Sequence, residues 1–142
     1  MNEADKSTTF TCHGSCLCGA VKFQVDMEIA AASHCHCSMC RKWHGAAFAT
    51  YATAPADKFS ITQGADTLRS YESSPGITRS FCGRCGSSLL WQRDAKNIDF
   101  ALGALDTPVS APRQWHIFVS SKAPWWNITD GLPQHQQNSN SP

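Results

Sequence analysis

The sequence has few charged residues and no long apolar segment. Charged residues make up 16% of its 142 positions, and 12 Lys+Arg against 11 Asp+Glu leave a net charge of +1. This balance, with no stripe of Lys and Arg, gives little attraction to nucleic acid or to anionic membranes. No apolar run approaches the ~18 residues of a membrane-spanning helix. We therefore predict a soluble protein that binds neither nucleic acid nor membrane.

The apolar stretch of a secretory signal peptide is also missing from the first ten residues, MNEADKSTTF, which favours a cytoplasmic protein. The eight cysteines are about 6% of the chain, below the ~8–10% typical of a short disulfide scaffold. In a cytoplasmic chain, cysteines are more often metal ligands or catalytic thiols than crosslinks. The alternative is a secreted, disulfide-bonded protein, which would hold oxidised cysteines and no metal.

The sequence has no helical stripe of apolar residues over three turns. Instead, apolar residues recur with period two, which is the spacing of half-buried β-strands. The alternating sets are Val21, Phe23 and Val25; Phe59 and Ile61; Leu89 and Trp91; Ile98, Phe100 and Leu102; and Trp115, Ile117 and Val119. Turn residues such as SSPG at 73–76 separate these sets. The pattern predicts a mainly β domain of about eight to eleven short, mostly antiparallel strands with little helix.

A single domain over residues 10–133 is expected, because a chain of 142 residues can bury a core of its own. Residues 1–9 are polar and are predicted to form a flexible N-terminal segment. Residues 134–142 (QHQQNSNSP) contain no large apolar residue and are predicted to form a disordered tail.

Seven of the eight cysteines fall into three close groups. The groups are Cys16 and Cys18; Cys35, Cys37 and Cys40; and Cys82 and Cys85. Cysteines two apart on a strand, or three apart in a tight turn, can aim two sulfurs at one ion. Zinc takes four ligands in tetrahedral geometry, so three groups supply too many thiols for one site. The spacing leaves the pairing open, since the first group can join either of the other two.

Several motifs follow one another in a specific order. They are GSCLCGAV (14–21), CHCSMCRK (35–42), SSPG (73–76), FCGRCGS (81–87) and HIFV (116–119), followed by Trp125, Asp130 and Leu132-Pro133. In this order they resemble the glutathione-dependent formaldehyde-activating enzyme family, which includes the zinc domain of centromere protein V. The resemblance extends over about residues 12–133.

The resemblance implies a β-tent fold, which is mainly β, with two zinc ions per chain. The family activity combines glutathione with formaldehyde to give S-(hydroxymethyl)glutathione, and it is classed as carbon–sulfur lyase chemistry. A small thiol such as glutathione is then the expected partner. The alternative is a non-catalytic, zinc-stabilised binding module of the same fold. The implied ligands are Cys16, Cys18, Cys82 and Cys85 for a structural zinc, and Cys35, Cys37 and Cys40 for a second zinc with one open position.

The open position suggests how a thiol would react. Catalytic zinc keeps one position for water or substrate, and three protein ligands are the usual number. In the second site, we expect the metal to bind the substrate thiol as a thiolate, which then serves as the nucleophile. The residues that follow this group, Arg41, Trp43 and His44, are candidate substrate contacts.

The remaining candidates are given structural roles. His34 and His36 alternate with Cys35 and Cys37, so on a regular strand they face away from the sulfurs. Cys12 lies outside the motifs, and we predict that it is a thiol near the first site and not a ligand.

Overall fold

The computed structural model of the chain describes residues 10–138 and contains ten β-strands in that range. In chain order they are β1 (Cys12–Ser15), β2 (Lys22–Val25), β3 (Ala31–Cys35), β4 (Ala49–Pro55), β5 (Phe59–Gln63), β6 (Leu68–Ser74), β7 (Ile77–Cys82), β8 (Ser88–Gln92), β9 (Asn97–Ala101) and β10 (Arg113–Ile117). The described residues also form one α-helix, α1 (Ser38–His44), and 3-10 turns at Ala56–Lys58, Leu102–Ala104 and Val119–Ser121. The predicted mainly β fold class is confirmed.

The strands form two sheets. The smaller has the order β1-β2-β5, and the larger has the order β10-β3-β4-β9-β8-β7-β6. Neighbouring strands are antiparallel except for β10 and β3, which run parallel. The parallel pair places Cys35, the last residue of β3, beside Ile117, the last residue of β10. The chain that follows β3 therefore starts where the C-terminal ends of β3 and β10 lie side by side.

Three phenylalanines connect the two sheets. Phe23 and Phe59 lie on β2 and β5, and their rings stack with centroids 5.3 Å apart. The ring of Phe100, on β9 of the larger sheet, lies 5.9 Å from Phe23 and 6.1 Å from Phe59. Phe23 and Phe100 are fully buried, and burial of such a side chain stabilises a fold by about 1.5–3 kcal/mol. The alternating apolar residues thus form the core, as the sequence pattern predicted.

Two residues at the C-terminal ends of the alternating sets do not extend their strands. Leu102 and Val119 lie in 3-10 turns after β9 and β10. Phe118 has φ of +55°, a left-handed conformation that ends the extended chain before Val119. The turn at Leu102 is closed by a hydrogen bond from the Leu105 N–H to the Leu102 carbonyl, with N···O at 3.1 Å.

Residues 134–138 are held to β10 and to the turn that follows it. The His135 N–H donates to the His116 carbonyl at 2.9 Å, and the Phe118 N–H donates to the Gln137 carbonyl at 3.2 Å. These backbone hydrogen bonds satisfy polar groups of a stretch without large apolar side chains, and the predicted disordered tail over residues 134–142 stays a prediction. Residues 1–9 and 139–142, where a flexible segment and the end of the tail were predicted, lie outside the described residues. Within residues 10–138, no helix has the length and apolar character needed to cross a bilayer.

Candidate metal centres

Four thiols from two distant parts of the chain meet where β1 and β7 end. We call this set, Cys16, Cys18, Cys82 and Cys85, the four-thiol cluster; its sulfurs all lie within 4.8 Å of one another. The Sγ atoms of Cys16 and Cys18 are 3.7 Å apart, and those of Cys18 and Cys82 are 3.8 Å apart. Sulfurs at ~2.3 Å around a tetrahedral ion would be separated by about 3.8 Å. The cluster therefore has the spacing of a tetrahedral thiolate site.

Backbone N–H groups point at these sulfurs. The Val21 N–H donates to Cys16 Sγ at 3.2 Å, and the Arg84 N–H donates to Cys82 Sγ at 3.3 Å. The Ser87 hydroxyl lies 3.2 Å from Cys85 Sγ and accepts a hydrogen bond from the Leu17 N–H at 2.9 Å. The hydrogen bond from Ser87 lowers the pKa of Cys85 to about 5. These contacts favour the thiolate form of Cys85, and thiolates are the form that binds metals.

A second set of sulfurs lies at the junction of β3 and α1. We call Cys35, Cys37 and Cys40 the three-thiol cluster; its sulfurs also lie within 4.8 Å of one another. Cys35 ends β3, Cys37 is the N-cap of α1, and Cys40 lies in the first turn of the helix. The Cys40 N–H donates to Cys37 Sγ at 3.3 Å. The sharp change from strand to helix brings three sulfurs together within six residues.

Hydrogen bonds within the three-thiol cluster shift the pKa values of its thiols in opposite directions. Hydrogen bonds from Cys35 and then Cys40 hold the pKa of Cys37 far below that of an ordinary thiol, and the positive charge of Arg79 adds to the effect. The hydrogen bond with Cys37 raises the pKa of Cys35. Cys37 is therefore the thiol of this cluster that loses its proton most readily.

Arg79, on β7, also contacts the three-thiol cluster. Its Nη1 lies 3.6 Å from Cys40 Sγ, and the residue is only 3% exposed. Burial alone would lower the pKa of Arg79, but the hydrogen bond to Cys40 and the negative charge of that side chain when it is ionised raise it above its ordinary value. A buried, fully charged guanidinium therefore stands beside the sulfurs.

A cavity of about 930 Å³ opens over the three-thiol cluster. All three of its cysteines line the cavity, together with Tyr51, Arg79 and Asp99, whereas no member of the four-thiol cluster lines it. Ligand cavities in proteins have volumes of ~300–1,000 Å³, so this one can hold a small organic molecule. The two clusters thus differ in access as well as in the number of sulfurs.

The structure separates the candidate substrate contacts from this cavity. Arg41, Trp43 and His44 are not among the described residues that line it. Arg41 Nε lies 3.4 Å from the His36 carbonyl oxygen. His44 Nε2 is 2.8 Å from the hydroxyl of Tyr51, which does line the cavity.

Trp43 lines a second, smaller cavity of about 410 Å³. Its ring stacks on Tyr71 with centroids 6.1 Å apart and meets the edge of Phe81 at 5.6 Å. The role of Arg41, Trp43 and His44 as substrate contacts stays a prediction.

The histidines near the three-thiol cluster bind other partners. His34 contacts Thr50 and Gln114 through its two ring nitrogens, at 2.8 and 2.9 Å. His36 Nε2 lies 2.8 Å from His116 Nδ1, and His116 Nε2 lies 2.9 Å from Asp130 Oδ2. Because the Asp130 carboxylate accepts, a neutral His116 donates from Nε2 and accepts at Nδ1 from His36. This chain of hydrogen bonds pins the segment between Cys35 and Cys37 to β10.

Cys12 is a core residue outside both clusters. It is 5% exposed, and its Sγ lies 3.8 Å from the Met27 carbonyl oxygen. All eight cysteines are among the described residues, and none of them forms a disulfide. The structure therefore gives no support to the disulfide-bonded alternative, and it brings the first and third cysteine groups together, as the resemblance implied.

Sequence reasoning missed Arg79. The available signal was its position on β7, where Ile77, Arg79 and Phe81 share one face of the strand. A cation between two large apolar residues on one face is expected to be buried, and a buried cation needs an anionic partner. The sequence does not say which of the distant anionic groups that partner is.

The fold and the two thiol clusters define a mainly β protein with two candidate metal centres. A comparison with protein families matches residues 11–121 to the glutathione-dependent formaldehyde-activating enzyme family. The match covers most of the chain, and the chain belongs to this family.

Individual relatives agree with this membership. A Halomonas elongata protein named as a putative glutathione-dependent formaldehyde-activating enzyme is 32% identical over 127 residues, which cover 81% of this chain and 79% of the relative. An uncharacterized lyase of Schizosaccharomyces pombe is 33% identical over 76 residues, covering 54% of this chain and 53% of the relative. The crystal structure of a Rhodobacter sphaeroides protein, 30% identical, superposes with a TM-score of 0.59 over 68% of this chain and 89% of that protein.

Proposed function

We propose that this protein is a zinc-dependent enzyme of the carbon–sulfur lyase type, which joins a small thiol such as glutathione to formaldehyde. The observation that carries the proposal is the contrast between the two clusters. The three-thiol cluster lines a cavity of about 930 Å³, whereas the four-thiol cluster does not line it. A metal held by three protein ligands beside a cavity keeps a position for a substrate, and one held by four thiolates does not.

The donor atoms of both clusters fit zinc. Thiolates are ligands that zinc favours, and the sulfur–sulfur distances of 3.7 and 3.8 Å in the four-thiol cluster match a tetrahedral ion. Cys16, Cys18, Cys82 and Cys85 would hold a structural zinc, and Cys35, Cys37 and Cys40 would hold the second one. When bound in the second site, zinc would act as a Lewis acid that favours the thiolate form of a substrate thiol.

The cavity wall supplies a polar group for the electrophile. In the proposed reaction, the thiol sulfur forms a bond to the carbonyl carbon, and the carbonyl oxygen gains a proton in place of the one the thiol loses. The Tyr51 hydroxyl oxygen and His44 Nε2 are 2.8 Å apart and form a hydrogen bond. We assign this pair the task of hydrogen-bonding to that oxygen, which is a typical task of a positioned general acid.

A cytoplasmic location suits this chemistry. The cytoplasm keeps thiols reduced, and all eight cysteines are free in the structure. Glutathione is a cytoplasmic thiol, so substrate and metal ligands would stay reduced in the same compartment.

The proposal is tested with Cys37→Ser and a matched Cys12→Ser control, both loaded with cobalt in place of zinc. We expect two cobalt ions in the parent and in Cys12→Ser, and one in Cys37→Ser. Glutathione should change the visible spectrum of one cobalt in the parent and the control but not in Cys37→Ser.

Turnover is followed by NMR with ¹³C-formaldehyde and glutathione. The parent and Cys12→Ser should form the adduct faster than the uncatalysed mixture, and Cys37→Ser should not. If glutathione leaves the cobalt spectrum unchanged and both ions show four-sulfur coordination, the enzyme proposal is wrong. The non-catalytic binding module would then replace it.

A further inference from the structure

Arg79 is a buried cation whose guanidinium contacts sulfur and not carboxylate. Its Nη1 lies 3.6 Å from Cys40 Sγ, and its Nε donates to the Ser73 hydroxyl at 3.0 Å. The guanidinium carbon also lies 6.0 Å from the ring centroid of Trp43. Among residues 10–138, the one ion pair joins His116 to Asp130, so no described carboxylate pairs with Arg79.

The burial of this charge has to be offset by an anion. Arg79 is 3% exposed, and a buried charge without a partner strongly destabilises a fold. A hydroxyl and an aromatic ring offset only part of that cost, since each carries a partial charge. The group in contact is Cys40 of the three-thiol cluster, and the three sulfurs would be thiolates when they hold a metal.

A divalent metal alone does not neutralise the three thiolates of the cluster, so a second cation is needed to balance their charge. Three thiolates and one divalent ion carry one net negative charge, which opposes the entry of a further thiolate. A guanidinium beside Cys40 brings the local charge to zero. In a buried site, where screening by water is weak, this difference acts directly on an anionic ligand.

We propose that Arg79 is a positioning residue for the three-thiol cluster: it fixes Cys40 and offsets the charge of the thiolates, so that the open position accepts an anionic thiolate. The inference rests on the proposed function, because it takes the three-thiol cluster to be a metal site. It assigns to β7 a contribution to thiol specificity that the cysteine motifs do not contain.

The test compares Arg79→Met and Arg79→Lys with Arg84→Met in the full chain. Arg84 is exposed and lies beside the four-thiol cluster, so its replacement removes the same charge without touching Cys40. Cobalt affinity at each cluster is measured by competition with a chelator. Glutathione, an anionic ligand as its thiolate, and imidazole, a neutral one, are then titrated into the loaded proteins.

In Arg79→Met, we expect cobalt to bind the three-thiol cluster roughly 10- to 100-fold more weakly, as loss of a charge-assisted hydrogen bond implies. Glutathione binding should weaken more than imidazole binding, which a packing role alone would not produce. Arg79→Lys loses the planar donor geometry but keeps the positive charge. Because the charge is kept, this variant should restore the preference for glutathione over imidazole. Arg84→Met should match the parent at the three-thiol cluster.

Equal cobalt affinities in the parent and Arg79→Met, or an equal loss of both ligands, would refute the inference. If Arg79→Met also loses cobalt at the four-thiol cluster and unfolds, Arg79→Lys decides: a restored fold with no glutathione preference refutes it, and a restored preference supports it. A parent that binds no cobalt at the three-thiol cluster would instead refute the proposed function, so the two failures are distinguishable.

Discussion

Cys82 is the most deeply buried sulfur of the four-thiol cluster, and its replacement by serine tests what that cluster contributes to stability. Cys82 is 0% exposed and ends β7, and its Sγ lies 3.8 Å from that of Cys18 on the distant loop after β1. Serine is a poor zinc ligand, so the change would remove one of the four contacts that we propose for a zinc ion. It also leaves a hydroxyl in an apolar core.

The expected loss is comparable to the whole stability of the fold. Structural zinc contributes ~10–16 kcal/mol to the folding of small metal-binding domains. Domains of this size have net stabilities of about 5–15 kcal/mol. Even if half of the metal contribution survives with three sulfurs, Cys82→Ser should lose about 5 kcal/mol or more.

Cys12→Ser supplies the matched comparison. Cys12 is also buried, but its Sγ contacts the Met27 carbonyl and no other sulfur. The same change there should cost about 1–3 kcal/mol, the cost of burying a hydroxyl with an imperfect partner. Because both variants exchange sulfur for oxygen in the core, the difference between them isolates the metal contribution.

The assay is urea unfolding followed by circular dichroism, with zinc present and then with a chelator. The chelator should destabilise the parent and Cys12→Ser by several kcal/mol, and Cys82→Ser by much less, since it has already lost the metal contribution. If Cys82→Ser in zinc is within about 1 kcal/mol of Cys12→Ser, the four-thiol cluster does not stabilise the fold through a metal and the reasoning fails.

Two further predictions concern Asp99 in the cavity wall and Gly64, the residue that follows β5. Burial raises the pKa of Asp99, so the folded state disfavours its carboxylate at neutral pH. Asp99→Asn, which keeps an acceptor for the Thr53 hydroxyl, should raise the free energy of unfolding at pH 7. This increase should become smaller as the pH falls toward 4. Urea unfolding at several pH values measures it, and an increase that grows on acidification would contradict the prediction. Gly64 has φ of +78°, and a Cβ there would overlap the Ala20 carbonyl. Gly64→Ala should therefore lower the free energy of unfolding by about 2 kcal/mol or more, measured by thermal unfolding. A melting temperature equal to that of the parent would contradict this, because it would mean that the backbone at Ala20 moves aside without cost.

Much of the fold could be predicted because apolar residues alternate with polar ones along several of its strands. Phe23 and Phe100 occupy the buried positions that the period-two pattern indicated. The pattern failed where backbone conformation intervened, as at Phe118, whose left-handed φ ends the strand before Val119. After residue 133 the apolar pattern carries no information, and the contacts of residues 134–138 with β10 are main-chain hydrogen bonds, which a side-chain pattern does not indicate.

The pairing of the cysteines could not be predicted from spacing. Cys18 and Cys82 are 64 residues apart, and sequence separation does not say which loops meet in space. The resemblance supplied that pairing through shared motifs. Arg79 had no such help, because its partner Cys40 lies 39 residues away on a different element, and contacts of this kind depend on how the sheet is assembled.

The position of β7 explains why two clusters in one small protein need not behave independently. Cys82 and Arg79 are three residues apart on this strand, so their side chains leave it on opposite faces. Cys82 contacts the four-thiol cluster, and Arg79 contacts Cys40 of the three-thiol cluster. A metal that fixes the end of β7 would thus also fix the guanidinium beside the second site. Cys82→Ser is therefore expected to disturb both sites, whereas Cys37→Ser should leave the four-thiol cluster intact, because none of its hydrogen bonds passes through α1.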